Sequence, residues 1–161
     1  MINLDVLNSV RERIEEARQR AGRSNTKPVT IVAVTKTFPS SAVIVAHKAG
    51  LTNIGENRIQ EAADKFPELP KLPGLTKRLI GHLQSNKARK AVNLFDFIDS
   101  VDSLKLARRL NIIGEGEKDP INILLQVNTG RDPAKHGFSP DQKETLQKII
   151  EMPFLNVKGL M

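Results

Sequence analysis

Short apolar runs alternate with segments of helical periodicity along the whole chain. Six runs of this kind end in polar residues or at a turn, and they occupy residues 29–36, 51–57, 78–82, 95–101, 121–128 and 155–161. The ends of successive runs are separated by roughly 20 to 35 residues, which is the size of a strand–helix unit. This alternation predicts an α/β fold with a mostly parallel sheet and helices outside it.

The helical segments have recognisable boundaries. The first is predicted from apolar residues at three- and four-residue steps, namely Leu4, Leu7, Val10, Ile14, Ala17 and Ala21. Gly22 is a suitable stop for this helix. A later helix is predicted to begin at Ser139-Pro140-Asp141-Gln142, with a capping serine and a proline at the first helical position. Shorter helices are predicted over 41–49, 58–65, 85–94 and 103–110, with a loop at 67–74 and a turn at 114–116.

Composition narrows the class of protein. A chain of 161 residues can bury one good core, so residues 1–161 are expected to form a single domain. There is no cysteine, which excludes disulfides and thiolate catalysis and fits a reducing compartment. The sequence shows neither a signal peptide nor an apolar run long enough to span a bilayer. We therefore expect a soluble cytoplasmic protein without membrane partners.

The net charge of +7 raises the question of nucleic acid. Basic residues cluster at 87–90 and 108–109, but the chain has no Trp or Tyr on which bases could stack. Solvated helix faces explain the clusters better, and an anionic small molecule would suit the same charge. A glycine-rich nucleotide loop is absent. The three histidines, His47, His82 and His136, lack metal-ligand spacing, so no metal site is expected.

Lys36 is the strongest candidate for a chemically reactive residue. It closes the β-branched, apolar run 29–36, which predicts a buried parallel strand with Lys36 at its carboxyl end. Folds of this class place their chemistry at that end of the strands. A desolvated lysine amine has a lowered pKa and can attack a carbonyl carbon to form a Schiff base. The alternative is a strand-end lysine whose amine simply reaches solvent.

Six collinear motifs make the chain resemble a known family. They lie at 32–37, 55–61, 80–87, 100–103, 125–129 and 159–161, and together they cover nearly the whole sequence. The chain resembles the pyridoxal phosphate homeostasis proteins, which are single-domain relatives of the amino-terminal barrel of alanine racemase. The resemblance implies a (β/α)8 TIM-barrel fold, of which about six βα units are present. It also implies pyridoxal 5′-phosphate (PLP) held as a Schiff base on Lys36.

The same resemblance suggests further residues around the cofactor. Asn57 and His82 fall in family motifs at strand ends. Asn57 could bond the ring hydroxyl or merely satisfy loop backbone. His82 could flank the ring or serve as a structural hydrogen-bonding group. Ser100 is a weaker candidate, because serine often starts a turn or caps a helix. We expect no catalytic residue and no metal ligand in this set.

Two departures from the family pattern are visible. Lys77-Arg78-Leu79 stands where the family usually has Trp-His-Phe, which predicts a differently shaped and charged entrance at strand three. Family members also continue through two further βα units, whose serine-containing turn and Arg-Ile-Gly segment hold the phosphate and the pyridine ring. Barrels of this type bind phosphate on the loops after strands seven and eight. We therefore expect an incomplete barrel with two open sheet edges.

The resemblance implies a carrier and regulator of vitamin B6 without established catalytic activity, with PLP-dependent enzymes as possible recipients of the cofactor. A PLP-dependent racemase is the alternative from another class. Two-base racemisation needs a proton donor on each face of the bound amino acid. Lys36 could serve one face, but the chain has no Tyr or Cys for the other, and His82 is the remaining candidate. A basic nucleic-acid-binding domain is a third, weaker reading, which salt-dependent retention on DNA would support.

Overall fold

Six strands alternate with six helices in a computed structural model that describes residues 2–161. The strands are β1 (Val32–Val34), β2 (Asn53–Glu56), β3 (Thr76–Leu79), β4 (Phe97–Val101), β5 (Ile121–Leu125) and β6 (Leu155–Leu160). The helices are α1 (Leu4–Arg20), α2 (Ser40–Lys48), α3 (Ile59–Lys65), α4 (Ala88–Leu94), α5 (Leu104–Glu117) and α6 (Lys143–Ile150). Two short 3-10 turns, Phe66–Glu68 and Ser85–Lys87, follow α3 and precede α4. The alternation predicted from the sequence is confirmed.

All six strands form one parallel sheet in sequence order, from β1 at one edge to β6 at the other. A crossover connection that contains a helix joins each pair of neighbouring strands, as parallel pairing requires. Within residues 2–161, β1 and β6 do not pair with each other, so the sheet is open. This architecture matches six consecutive units of a (β/α)8 barrel.

The main core lies between one face of the sheet and helices α3 to α6. Strand residues that contribute to it include Leu79, Ile98, Ile123 and Leu125, all fully buried. The helices supply Ala62, Ala91, Leu106, Leu110, Ile113 and Ile149. Burying an aliphatic side chain of this size contributes about 1.5–3 kcal/mol, so this layer fixes the positions of the strands. A smaller cluster of Leu7, Ala46 and Leu51 joins α1 and α2 to the sheet.

The opposite face of the sheet, the inner face of the partial barrel, carries polar groups. Arg78 on β3 donates two hydrogen bonds to Asp99 on β4, from Nε at 2.7 Å and from Nη2 at 2.8 Å. Its guanidinium also lies 4.1 Å from the ring centroid of Phe97. Because both charged side chains are nearly buried, this two-bond pairing neutralises Arg78 locally. The unusual charge predicted at strand three is therefore balanced inside the sheet.

The boundaries of two helices differ from the sequence prediction. The expected turn at 114–116 is wrong, because α5 continues through it to Glu117. Gly114 is needed there for packing, since a Cβ at this position would lie 2.8 Å from the carbonyl oxygen of Phe154. The helix start at Ser139 is also wrong. Residues Ser139 to Gln142 form a turn, with the Gln142 side chain accepting a hydrogen bond from Ser139 N, and α6 begins at Lys143.

The amino-terminal part of the chain is less buried than its pattern predicts. The strand at 29–36 shortens to the three residues of β1, and Val34 is 47% exposed. In α1 the predicted apolar stripe is present, but Leu7 is its only buried member and Leu4 and Val10 are exposed. Edge position explains the exposure of Val34, because β1 has a neighbour on one side only. No helix of residues 2–161 is long and apolar enough to cross a membrane.

Candidate functional site

The carboxyl ends of the strands bring the predicted site residues to one edge of the sheet. Lys36 follows β1 by two residues, and Asn57 comes directly after β2. His82 lies in the loop after β3, and Ser100 is the second-last residue of β4. Because all strands are parallel, these positions share the edge at which α/β folds bind ligands. The sequence prediction of where these residues lie is thus consistent with the topology.

Lys36 occupies a tight turn and is exposed, not buried. The amide of Phe38 donates a hydrogen bond to the carbonyl oxygen of Thr35, which closes a turn with Lys36 and Thr37 at its centre. Thr37 has φ of 65°, a left-handed conformation that a β-branched residue rarely adopts. The expected desolvation of the lysine is therefore wrong for the open sheet. Strain of this kind costs about 1–3 kcal/mol and persists where the surroundings impose it.

A buried ion pair holds Thr35, the residue before Lys36. Lys65 Nζ, at the end of α3, lies 2.6 Å from Glu56 Oε1, at the end of β2. The same amine donates a 2.8 Å hydrogen bond to the carbonyl oxygen of Thr35. The Thr35 hydroxyl donates to Glu56 Oε1 at 2.7 Å. Thr35, Glu56 and Lys65, which we call the lysine-loop clamp, thus hold Thr35 through both its side chain and its backbone.

Both charges of the clamp are removed from solvent. The side chain of Glu56 is 0% exposed and that of Lys65 is 7% exposed. Glu56 Oε2 is buried without a hydrogen-bond partner among the described residues. Desolvating two charges opposes folding, and an unpaired oxygen adds to that cost. Such a pair adds little to the stability of the fold. Its main structural effect is to fix the position of the loop that carries Lys36.

Gly81 brings the ends of β2 and β3 into close contact. A Cβ at Gly81 would lie 2.2 Å from the carbonyl oxygen of Asn57, so only glycine fits there. The hydroxyl of Ser100, which is fully buried, donates a 2.6 Å hydrogen bond to the carbonyl oxygen of Gly81. The structure therefore places Ser100 behind the site. Its burial does not support the direct cofactor contact that we expected, and its hydroxyl instead orients the segment leading to His82.

Asn57 and His82 are more accessible than Ser100. Asn57 is half-buried, and its side chain makes no hydrogen bond to other residues in 2–161, so it does not serve the loop backbone as the alternative reading supposed. His82 is exposed, and its Nδ1 lies 2.8 Å from Asp102 Oδ2. His136, from the loop after β5, stacks on His82 with ring centroids 3.9 Å apart. Two of the three histidines that are scattered in sequence are therefore neighbours in the fold.

Sequence reasoning missed the clamp and Asp102. Glu56 carried a detectable signal, because a carboxylate directly after Ile54 and Gly55 in an apolar strand has to find a partner. Asp102 lies in the family-like motif at 100–103, but its sequence position does not indicate that it pairs with a histidine. Lys65 carried no signal, since a lysine in the last turn of a helix is usually solvated. Its pairing with residues 9 and 30 positions away depends on how α3 packs on the sheet.

Several known proteins are similar to this chain in sequence. The family model described as alanine racemase, N-terminal domain, matches residues 6–161. A pyridoxal phosphate homeostasis protein of Pseudomonas aeruginosa is 42% identical over 153 residues, covering 94% of this chain and 66% of that protein. One from Escherichia coli is 39% identical over 158 residues, covering 96% and 67%. The chain thus spans about two thirds of the length of these curated relatives.

Solved structures agree on the fold. PipY from Synechococcus elongatus, in a structure without PLP, superposes with a TM-score of 0.78 at 44% identity, covering 92% of this chain and 69% of that one. The structure of PipY with PLP bound gives 0.75 at 41% identity, covering 90% and 68%. An alanine racemase of Clostridium difficile, at 14% identity and a TM-score of 0.69, supports the fold alone; it covers 82% of this chain and 35% of its own.

Sequence identity and fold point to the same group of proteins. The family model matches residues 6–161, a span that contains Lys36, Glu56 and Gly81. The chain therefore belongs to the alanine racemase N-terminal domain family, and within it to the pyridoxal phosphate homeostasis proteins.

Proposed function

We propose that this protein binds pyridoxal 5′-phosphate as a Schiff base on Lys36 and serves the intracellular balance of vitamin B6. The observation that carries the proposal is the lysine-loop clamp, which fixes the backbone on the amino-terminal side of Lys36 while leaving the lysine itself exposed. A free amine on a rigid loop suits reversible attack on an aldehyde. The names of the relatives and the PLP-bound PipY structure support the choice of aldehyde.

The residues present fit the aldehyde and ring of this cofactor. When bound, the cofactor supplies an electrophilic aldehyde and an anionic phosphate group. Lys36 would bond the aldehyde carbon, and the accessible Asn57 and His82 share its edge of the sheet. Ser100 would act indirectly, by holding the carbonyl oxygen of Gly81. The phosphate would need several hydrogen-bond donors, and in eight-stranded barrels these come from the loops after strands seven and eight.

A carrier is favoured over an enzyme by the groups around Lys36. The relatives are named as homeostasis proteins, and that name describes no reaction. In this chain His82 already contacts Asp102, and the sequence contains no Tyr or Cys that could act as a second proton donor. A reversible imine on an accessible loop could release the cofactor to another protein. Transfer to PLP-dependent enzymes and a cytoplasmic location belong to the same proposal.

Reductive labelling tests the proposal directly. The chain is incubated with PLP and reduced with borohydride, and the adduct is measured by intact mass and located by peptide mapping. We expect one adduct per chain on Lys36, with an imine absorbance that is lost in Lys36→Ala. Because Lys36 is exposed, this variant should keep the wild-type free energy of unfolding within about 0.5 kcal/mol.

Lys27 and Lys48 provide matched controls, since both are exposed. Lys27→Ala and Lys48→Ala should label as the wild type does. Reduction that lands on either control lysine, or spreads over several lysines in proportion to their exposure, would refute the assignment to Lys36. It would also show that the imine forms by general amine reactivity and not at a site.

A further inference from the structure

We propose that His82, Asp102 and His136 form a binding site for a divalent transition-metal ion of the zinc class. The three side chains come from three different segments, the loop after β3, the residue after β4 and the loop after β5. One ligand atom from each lies within 4.8 Å of the other two. The absence of metal-ligand spacing in the sequence does not bear on this site, because the fold and not the spacing brings the residues together.

Both imidazole rings direct Nδ1 at the same carboxylate oxygen. Asp102 Oδ2 lies 2.8 Å from His82 Nδ1 and 3.9 Å from His136 Nδ1. Ligand atoms around a tetrahedral zinc ion are about 3.3 Å apart, given bond lengths of about 2.0–2.1 Å. The separations in the cluster bracket that value. The two rings are stacked nearly parallel, so at least one of these exposed rings would rotate out of the stack when both nitrogens bind one ion.

The carboxylate is the fixed member of the cluster. The side chain of Asp102 is only 7% exposed, whereas those of His82 and His136 are 43% and 61% exposed. Asp102 directly precedes Ser103, whose hydroxyl accepts a hydrogen bond from Leu106 N and caps α5. A nearly buried carboxylate beside two imidazole rings offers an anionic oxygen ligand that a bound cation would balance.

The loop that supplies His136 is braced from within. Gln126 donates a 3.0 Å hydrogen bond from its side-chain amide to the carbonyl oxygen of His136. The side chain of Asn128 donates to the carbonyl oxygens of Asp132 and Lys135, at 2.8 Å and 3.2 Å. The ends of the loop are joined by a hydrogen bond from Asn128 N to the carbonyl oxygen of Phe138. The position of His136 over His82 thus follows from backbone contacts and not from ring stacking alone.

The donor set determines the class of ion. Two imidazole nitrogens and one carboxylate oxygen suit zinc, cobalt or nickel, whereas calcium and magnesium prefer all-oxygen sites. Three protein ligands on an exposed edge leave at least one coordination position for water or an external ligand. The donor set is therefore typical of an accessible metal site with one exchangeable coordination position, and not of a closed structural site.

Zinc chloride titrated into the untagged 161-residue chain tests the proposal by calorimetry, without any PLP. We expect one ion per chain with a dissociation constant below about 100 μM, or about −5.5 kcal/mol. His136→Gln and Asp102→Asn should each weaken binding at least about tenfold, since even indirect partners of a metal ligand contribute that much. His47→Gln is the matched control, because His47 contacts Pro73 on another part of the surface.

Imidazole nitrogen resonances give a second readout that does not depend on the stability of the variants. Addition of zinc chloride should shift the ring nitrogens of His82 and His136 and leave those of His47 unchanged. Binding that does not saturate, equal weakening in His47→Gln, or a shift confined to His47 would overturn the proposal. The cluster would then be a hydrogen-bonded histidine–carboxylate pair with a second ring stacked on it.

Discussion

Lys65 donates a hydrogen bond to the carbonyl oxygen of Thr35, across 30 residues of sequence, and so ties the end of α3 to the loop that carries Lys36. The same amine forms an ion pair with Glu56, whose carboxylate accepts a second hydrogen bond from the Thr35 hydroxyl. The loop after β1, the end of β2 and the end of α3 are therefore coupled at one point. The backbone beside Lys36 is positioned by charges that solvent does not reach, and the lysine is left free to react.

Removing one partner of the ion pair should have a large effect. We expect Lys65→Met to lower the free energy of unfolding by about 3–5 kcal/mol, because the charge of Glu56 would stay buried without its partner. Urea denaturation measures this change. Lys71→Met is the control, since Lys71 is exposed and its replacement should change stability by no more than about 0.5 kcal/mol.

The double variant Glu56→Leu, Lys65→Met separates charge burial from positioning. With both charges removed, the stability loss should be well below the sum of the single losses. Reductive labelling of Lys36 should nevertheless stay slower than in the wild type, because Thr35 has lost both partners. Wild-type labelling in a stable double variant would show that the clamp has no part in positioning Lys36.

Gly81 offers an independent test of the strand-end geometry. We expect Gly81→Ala to displace the end of β2 or β3, because the added Cβ would lie 2.2 Å from the Asn57 carbonyl oxygen. The free energy of unfolding should fall by about 1–3 kcal/mol, as at other overpacked sites, and PLP binding should weaken. Thermal unfolding and PLP titration measure the two effects.

Gly130→Ala is the matched control for this substitution. Nothing lies within 4 Å of a Cβ at Gly130, and its φ is not in the left-handed range. This variant should keep the wild-type melting temperature and affinity. If Gly81→Ala behaved in the same way, the close approach of β3 to Asn57 would not constrain the site.

The sequence predicted the fold and the sheet edge at which the candidate residues lie, but not the contacts between them. The parallel α/β architecture and the position of Lys36 at the end of a strand followed from alternating runs and from the family-like motifs, which report local patterns. The clamp did not follow, because Lys65 resembles any solvated lysine until α3 is packed against the sheet. The same holds for His82 and His136, which lie 54 positions apart in sequence and stack in the fold.

Two errors of the sequence prediction, one at a helix boundary and one in strand burial, had a similar origin. Gly114 and Gly116 predicted a turn because glycine favours turns when it is considered locally, but Gly114 is required for the close approach of α5 to Phe154. Burial at β1 was overestimated because an apolar run does not reveal whether its strand lies at an edge. In each case the deciding factor was a tertiary neighbour that is distant in sequence.

Racemisation should be negligible even at saturating PLP. Proton exchange from both faces needs two positioned groups, and Lys36 has no Tyr or Cys in this chain as a counterpart. The measurement is exchange of the α-proton of L- and D-alanine in deuterated solvent. Rapid exchange that disappears in Lys36→Ala would overturn this expectation. Exchange that also disappears in His82→Gln would identify His82 as the second proton donor.

Phosphate binding gives the last prediction. For these 161 residues alone, PLP affinity should be well below that of a chimera extended after Met161 by two further βα units from a longer relative. Each charge-assisted hydrogen bond to the phosphate contributes about 1.5–3 kcal/mol, and a tenfold change in affinity corresponds to about 1.4 kcal/mol. Two or three additional donors should therefore strengthen binding by several powers of ten.

The chimera also tests the consequence of the open sheet. Covering the edges of β1 and β6 should raise the melting temperature and reduce any concentration-dependent association, since unpaired strand edges favour pairing with other chains. The control is a chimera in which the serine and arginine of the added phosphate-binding segment are replaced by alanine. It should gain the stability but not the affinity. Equal affinity in all three forms would mean that residues within 2–161 already hold the phosphate.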